Sequence, residues 1–160
     1  MRGQPRMQYI TRNPSQTKKL ARTFGQKILK TKRMKKAIVI ALVGDLGGGK
    51  TTFLQGFAKG IKVKEKILSP TFVILKKFKI PKVKSQKSKV KGQWFYHIDC
   101  YRIKKPKELM DLGFKEIISN PKNIVAIEWA EKIKKILPKN TIWIKFEFKN
   151  KKTRKISYRS

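Results

Sequence analysis

The stretch IVIALVGDLGGGKTT, residues 38–52, decides the fold. Ile38–Val43 is an unbroken apolar run, as a strand covered on both faces of a parallel sheet requires. A glycine-rich loop follows, and KTTFLQGFA from Lys50 onward reads as the start of a helix. Gly44, Gly49, Lys50 and Thr51 complete the pattern G-x-x-x-x-G-K-[ST]. Glycines let backbone N–H groups turn inward onto phosphate oxygens, and the helix N-terminus adds its partial positive charge. In such a loop Lys50 reaches the β- and γ-phosphates and the Thr51 hydroxyl sits on Mg²⁺. A strand-to-helix turn without a ligand is the bland alternative, and motif and context together weigh against it. Asp45, Leu46, Gly47, Gly48, Gly49, Lys50, Thr51 and Thr52 are therefore the expected nucleotide-binding segment.

Around this loop, 160 residues suffice for one domain, 1–160, with a core that needs no disulfides. Cys100 is alone, which excludes an internal disulfide framework or a cysteine-based zinc site. No N-terminal apolar run has signal or membrane length, so a cytoplasmic protein is expected. Lys and Arg number 42 against 9 Asp and Glu, a net charge of +33. Such a charge attracts polyanions, and tRNA, rRNA or an acidic protein surface would all serve. The lysines are spread along the chain rather than gathered into one arm, so compositional bias explains them equally well.

Helical spacing of Leu20, Phe24, Ile28 and Leu29 predicts a helix over Ser15–Thr31, with Ser15 as its N-cap after Pro14. Residues 1–8 are expected to be disordered. Further strands are expected at Ala37–Val43, in the run FVILKKF ending at Phe78, and at Trp94–Asp99, Asn123–Glu128 and Thr141–Phe148. Thr153–Tyr158 should pair with the last of these as a hairpin. Lys50–Lys59 reads as a helix ended by Gly60, Pro106–Leu112 as a short one broken by Gly113, and Ala130–Leu137 as another. Residues 79–93, KIPKVKSQKSKVKGQ, form a basic exposed loop or hairpin tip. This alternation predicts a three-layer α/β sandwich of P-loop NTPase type, with a mostly parallel sheet and a C-terminal β-hairpin. Its ligand should lie beyond the C-terminal strand ends.

That geometry sorts the few acids. Asp99 ends WFYHID and Glu128 ends NIVAIE, so both should stand at the sheet edge that carries the loop. Strand-terminal acids hold Mg²⁺ directly or through water in P-loop enzymes, and another orients the attacking water; capping the following turn is the structural alternative. Asp45 lies inside the loop, where it could cap backbone N–H groups or order a water; direct phosphate contact is disfavoured by like charge. Glu65, Glu108, Glu116, Glu131 and Glu147 read as surface residues. Ser69-Pro70-Thr71 is a rigid turn that could sense the γ-phosphate or metal. His97 reads as a packed or hydrogen-bonded histidine rather than a general base. Trp129 could be core, lid or interface, and Tyr101 and Arg102 could face the nucleotide or a partner.

The ordered set GDLGGGKTTF at 44–53, SPTF at 69–72, HIDCYR at 97–102 and IEW at 127–129 resembles the bacterial tRNA threonylcarbamoyladenosine biosynthesis ATPase family, TsaE (formerly YjeE). NPSQTKKLA at 13–21 and ELMDLGF at 108–114 extend the likeness to about residues 9–140. The resemblance implies an ATPase that binds ATP and Mg²⁺ and joins the partner proteins TsaB and TsaD. That complex transfers a threonylcarbamoyl group onto the adenosine beside the anticodon in tRNAs reading ANN codons. The ATPase does not perform the transfer; hydrolysis resets the complex. Carried over, Lys50, Asp99 and Glu128 are the catalytic set, and Thr51, Glu128 and Asp99 serve the metal. Thr71 is the switch residue, Trp129 lies close to the nucleotide, and the segment around Thr11–Thr17 touches the adenine side. Gly48 stands where alanine is usual, and the 79–93 stretch is longer than usual. Its lysines, Lys82, Lys84, Lys87, Lys89 and Lys91, could contact tRNA directly.

Two other functions compete. A small-molecule kinase shares this loop but wants an arginine-bearing lid, and the six arginines from Gln8 onward form no cluster. A basic nucleic-acid-binding module would explain the charge, but not the intact Lys50, Thr51, Asp99 and Glu128. A GTPase is disfavoured because N-K-x-D is absent; Asn150-Lys151-Lys152-Thr153 lacks the Asp.

Overall fold

Strand β2 (Ile38–Gly44) is the middle strand of a seven-stranded sheet of order β1-β7-β6-β2-β5-β4-β3. The computed structural model describes residues 6–31, 34–45, 47–68, 73–82 and 93–159. Its elements are β1 (Met7–Thr11), α1 (Pro14–Lys30), β2, α2 (Lys50–Gly60), β3 (Leu75–Ile80), β4 (Gln93–Asp99), α3 (Pro106–Met110) and α4 (Phe114–Ser119). β5 (Asn123–Glu128), a 3₁₀ helix (Ala130–Ile136), β6 (Ile142–Phe148) and β7 (Arg154–Arg159) complete the chain.

Side-chain alternation along the central strands builds two cores. Ile40 and Leu42 of β2, with Ile124 and Ala126 of β5, face α1 and α2 and meet Leu54, Phe57 and Phe146. Val39, Ala41, Val125 and Ile127 face the other way, onto Leu109, Phe114, Ala130 and Ile133. The expected three layers are therefore present. The sheet, however, is mixed rather than mostly parallel. β2 runs parallel to β5 and β6, and β4 parallel to β5, whereas β1–β7, β6–β7 and β3–β4 are antiparallel. The connection between β6 and β7 is too short to carry a parallel crossover, so that pair folds back as a hairpin.

Two local expectations also change. Asn13, not Ser15, caps α1: its Oδ1 accepts the Gln16 N–H at 2.9 Å. Pro14 takes the first helical position, where its missing N–H costs nothing, and so the cap falls at Asn13, two residues before Ser15. Residues 1–8 were expected to lie outside the ordered domain, yet Met7 and Gln8 pair with Tyr158 and Ser157 in β1. β3 runs on to Ile80, two residues past the expected end at Phe78, and β4 begins at Gln93, so the stretch 79–93 expected as an exposed loop is strand at both ends, with residues 83–92 outside the described residues. No described helix is long and apolar enough to cross a membrane.

Glycines set the distance between α1 and α2. A Cβ on Gly56 would lie 2.3 Å from Lys18 O, one on Gly60 2.3 Å from Arg22 O, and one on Gly25 2.6 Å from Phe57 O. Backbone meets backbone at all three points, so α2 is pressed close to α1, whose N-terminal turn borders the loop. At an exposed helical site Gly→Ala stabilises by about 1 kcal/mol. Gly56→Ala should do the opposite, because overpacking against backbone costs about 1–3 kcal/mol. Denaturant unfolding measures the sign, and a variant as stable as the parent would show that the helices can move apart freely.

Candidate functional site

Parallel register brings the strand-ending acids together. Asp99 is the cross-strand partner of Glu128, and Glu128 that of Leu42, two residues before Gly44. His97, Asp99 and Glu128 alternate onto the same sheet face as α2, whose first turn carries Lys50, Thr51 and Thr52. Gly47–Gly49, Lys50, Thr51, Thr52, Asp99, Glu128 and Trp129 line a cavity of about 280 Å³. Asn13, Pro14 and Thr17, at the start of α1, also line this cavity.

The loop requires its glycines. Gly44 has φ +130, and a Cβ there would lie 2.0 Å from Phe146 O; Gly49 caps α2 at φ +97. Positive φ at both places frees the following N–H groups to turn inward. Lys50 Nζ donates to Gly44 O at 2.6 Å and Asp45 O at 3.2 Å, which leaves one of its three hydrogens for a ligand. The same Nζ lies 4.0 Å from the centroid of the Trp129 ring. Burial pushes the Lys50 amine below its ordinary value, opposed by Glu131, Glu128, Asp45 and Asp99.

Glu128, 3% exposed, is held from two sides. Thr51 Oγ1 donates to its Oε1 at 3.0 Å, and His97 Nε2 lies 2.6 Å from its Oε2. A hydroxyl whose hydrogen is committed to a carboxylate keeps its lone pairs for a cation, so Thr51 fits a metal ligand with Glu128 behind it. Asp99 lines the same cavity, and its Oδ1 also accepts the Tyr101 N–H at 2.9 Å, so it caps the turn as the structural alternative required. Burial raises the Asp99 carboxyl, Glu128 adds to that, and the Tyr101 N–H, His97 and Lys50 oppose it. Among the described residues no three His, Cys, Asp or Glu side chains form a protein-only cation cage. Mg²⁺ needs none, since it takes phosphate oxygens and waters beside one or two protein groups.

One expected position, Asp45, stands apart from this cluster, and two lie outside the described residues. The Asp45 carboxylate turns away and accepts the Phe148 N–H at 3.3 Å, tying the loop to the end of β6. Leu46 and the Ser69–Thr71 turn, with the expected switch residue Thr71, lie outside the described residues. Cys100 is buried in the second core, and burial pushes its thiol up to about 12. Tyr101 packs its ring 5.2 Å from that of Trp129.

Sequence reasoning missed Arg154. It stands at the start of β7, where Nε donates to Gly47 O at 2.9 Å and Nη1 to Asn150 O at 2.7 Å. Its guanidinium covers the Phe148 ring at 4.4 Å, and Lys151 and Lys152 beside it also line the cavity. More than a hundred residues separate Arg154 from the loop in sequence, and only the β6–β7 hairpin brings them together.

Comparison with known proteins agrees with this geometry. The family model described as "Threonylcarbamoyl adenosine biosynthesis protein TsaE" matches residues 11–156. The tRNA threonylcarbamoyladenosine biosynthesis protein TsaE of Haemophilus influenzae is 35% identical over 128 residues, 78% of this chain and 74% of that protein. The proteins of the same name from Rickettsia prowazekii and Bacillus subtilis are 38% identical over 123 residues and 33% over 141. Those matches cover 76% and 86% of this chain and 73% and 75% of the relatives. The crystal structure of Bacillus subtilis YdiB superposes with a TM-score of 0.69 at 28% identity, covering 99% of this chain and 87% of that one. With the family model spanning both the loop and the two strand-ending acids, the chain belongs to the TsaE family of tRNA threonylcarbamoyladenosine biosynthesis proteins.

Proposed function

We propose that this chain is a P-loop ATPase that binds ATP with Mg²⁺ and acts with TsaB and TsaD in forming threonylcarbamoyladenosine beside the anticodon of tRNAs reading ANN codons. It does not carry out the transfer itself. The observation that supports this reading best is the bridge from Thr51 to Glu128, 3.0 Å long, which joins the phosphate loop to the end of β5 inside one cavity.

Each residue has a distinct task. The N–H groups of Gly47–Gly49 and the α2 N-terminus hold phosphate oxygens, and the remaining Lys50 hydrogen meets the terminal phosphates. Thr51, with Glu128 and Asp99 at its side, would hold Mg²⁺, which when bound neutralises charge gathering on the phosphate oxygens. Glu128, shielded from bulk water, is placed to orient a water toward the γ-phosphate. Trp129 covers Lys50 and limits water entry from that side. Asn13, Pro14 and Thr17 lie where the nucleoside would sit, and cytoplasmic action with tRNA as the final acceptor follows from the family's pathway. This reading takes TsaB and TsaD to complete the site, so isolated turnover should be slow and rise when they bind.

Steady-state phosphate release, alone and with TsaB and TsaD, tests this. Lys50→Ala should lower partner-stimulated turnover about a hundredfold or more. Glu128→Ala should cost about a hundredfold in turnover while nucleotide binding stays within about threefold; unchanged activity would mean that another acid serves the water. Phosphate appearing on a small acceptor instead of in solution would point to a kinase. Arg154→Ala should weaken ATP binding about three- to tenfold, the worth of about 1 kcal/mol, by freeing the Gly47 carbonyl. Arg154→Lys should fail to restore it, because a single ammonium cannot span Gly47 O and Asn150 O. Equilibrium titration with a non-hydrolysable ATP analogue reads both.

A further inference from the structure

We propose that His97 is a positioning residue for Glu128, donating its Nε2 hydrogen to Oε2 so that Oε1 stays on Thr51 at the rim of the phosphate cradle. The inference rests on the reading of Thr51 and Glu128 as the metal side of the site.

The geometry is specific. His97 has no solvent exposure, and its Nε2 lies 2.6 Å from Glu128 Oε2. Its other ring nitrogen, Nδ1, is buried without a hydrogen-bond partner. Among the described residues the carboxylate is thus the ring's one polar contact, and packing alone does not explain a polar ring with an unmet nitrogen at a fully buried position. The β4–β5 register pairs His97 with Ala126, two residues before Glu128 on the same face. The small Ala126 side chain leaves the imidazole free to reach forward to the acid.

Without His97, Glu128 would keep only the Thr51 hydroxyl, and Oε2 would be buried unpaired. Such a carboxylate turns to find another donor. Any such swing would withdraw the acid from Thr51 and weaken the hold on the cation. His97 prevents that swing. Partners of this kind, which orient a ligand rather than touch the metal, change metal affinity about 10- to 100-fold when removed.

The full-length chain tests this through binding, without turnover. A non-hydrolysable ATP analogue is titrated with and without Mg²⁺ into the parent, His97→Leu and His97→Gln. The parent should gain affinity from Mg²⁺. His97→Leu should keep its metal-free affinity within about twofold but lose about tenfold or more of the Mg²⁺-dependent gain. His97→Gln, which retains an N–H of similar reach, should recover most of it. A full Mg²⁺ gain in His97→Leu overturns the inference. No gain in the parent overturns the metal reading itself, a distinct failure. His97 is the sole histidine in the chain, so its ring ¹⁵N resonances are unambiguous. They should show the Nε2–H tautomer in the parent, even if His97→Leu does not fold, and an Nδ1–H tautomer overturns the proposal.

Discussion

A carboxylate buried as deeply as Glu128 must be met by donors, and that requirement ties the structure together. Moving an ionised carboxylate out of water costs several kcal/mol even after relaxation. The donors come from two different elements, Thr51 at the first turn of α2 and His97 on β4. One side chain on β5 therefore fixes the phosphate-loop helix against the sheet and locks two neighbouring strands in register. A slip of one residue between β4 and β5 would turn His97 to the opposite face and leave the acid half satisfied. The same register sets Asp99 beside Glu128, so the pairing that stabilises the acid also assembles the site.

The loop is braced by the rest of the sheet in a similar way. Asp45 reaches back to the Phe148 N–H, Arg154 holds Gly47 O, and Gly44 lies against the Phe146 backbone where no Cβ would fit. The β6–β7 hairpin thus borders the same cavity that the start of α2 lines. This explains why the antiparallel hairpin belongs to the site rather than merely finishing the sheet. It also gives Asp45 a role compatible with its charge, since its carboxylate serves the hairpin and not the phosphates.

Where local chemistry decides an element, the residues disclose it. Ile38–Val43 and Asn123–Glu128 are apolar because both faces of those strands are covered, and the placement of Asp99 and Glu128 follows from ending such strands. What stays hidden depends on distant partners. β1 has four exposed or half-exposed residues out of five, no clean alternation, and exists because β7 pairs with it. Gly25, Gly56 and Gly60 look like ordinary helix weaknesses, and only the approach of α1 to α2 shows their purpose. Arg154 looks like one more basic residue in a chain with +33 net charge, and a composition so rich in lysine masks a guanidinium that touches the loop.

Trp129 shows how one backbone conformation serves both cores. Continuing β5 would place it on the face opposite Glu128, and its ring does pack against the second core. Yet its φ of 56 puts a bulky residue in the left-handed region, where strain of order 1–3 kcal/mol persists only if surroundings over-determine it. Here they do so from three directions. The 3₁₀ helix starts at Ala130, the Tyr101 ring packs at 5.2 Å, and Lys50 Nζ approaches at 4.0 Å. The turn ends β5 sharply after Glu128, so the acid stands at the cavity wall instead of being followed by more strand. An ammonium over an indole face is worth about 0.5–2 kcal/mol, more as water is excluded, and burial has already lowered the Lys50 amine. The phosphate proposed for Lys50 would therefore meet a cation already largely desolvated and covered by the ring, which is preorganisation of the kind that favours charge developing on phosphate oxygens.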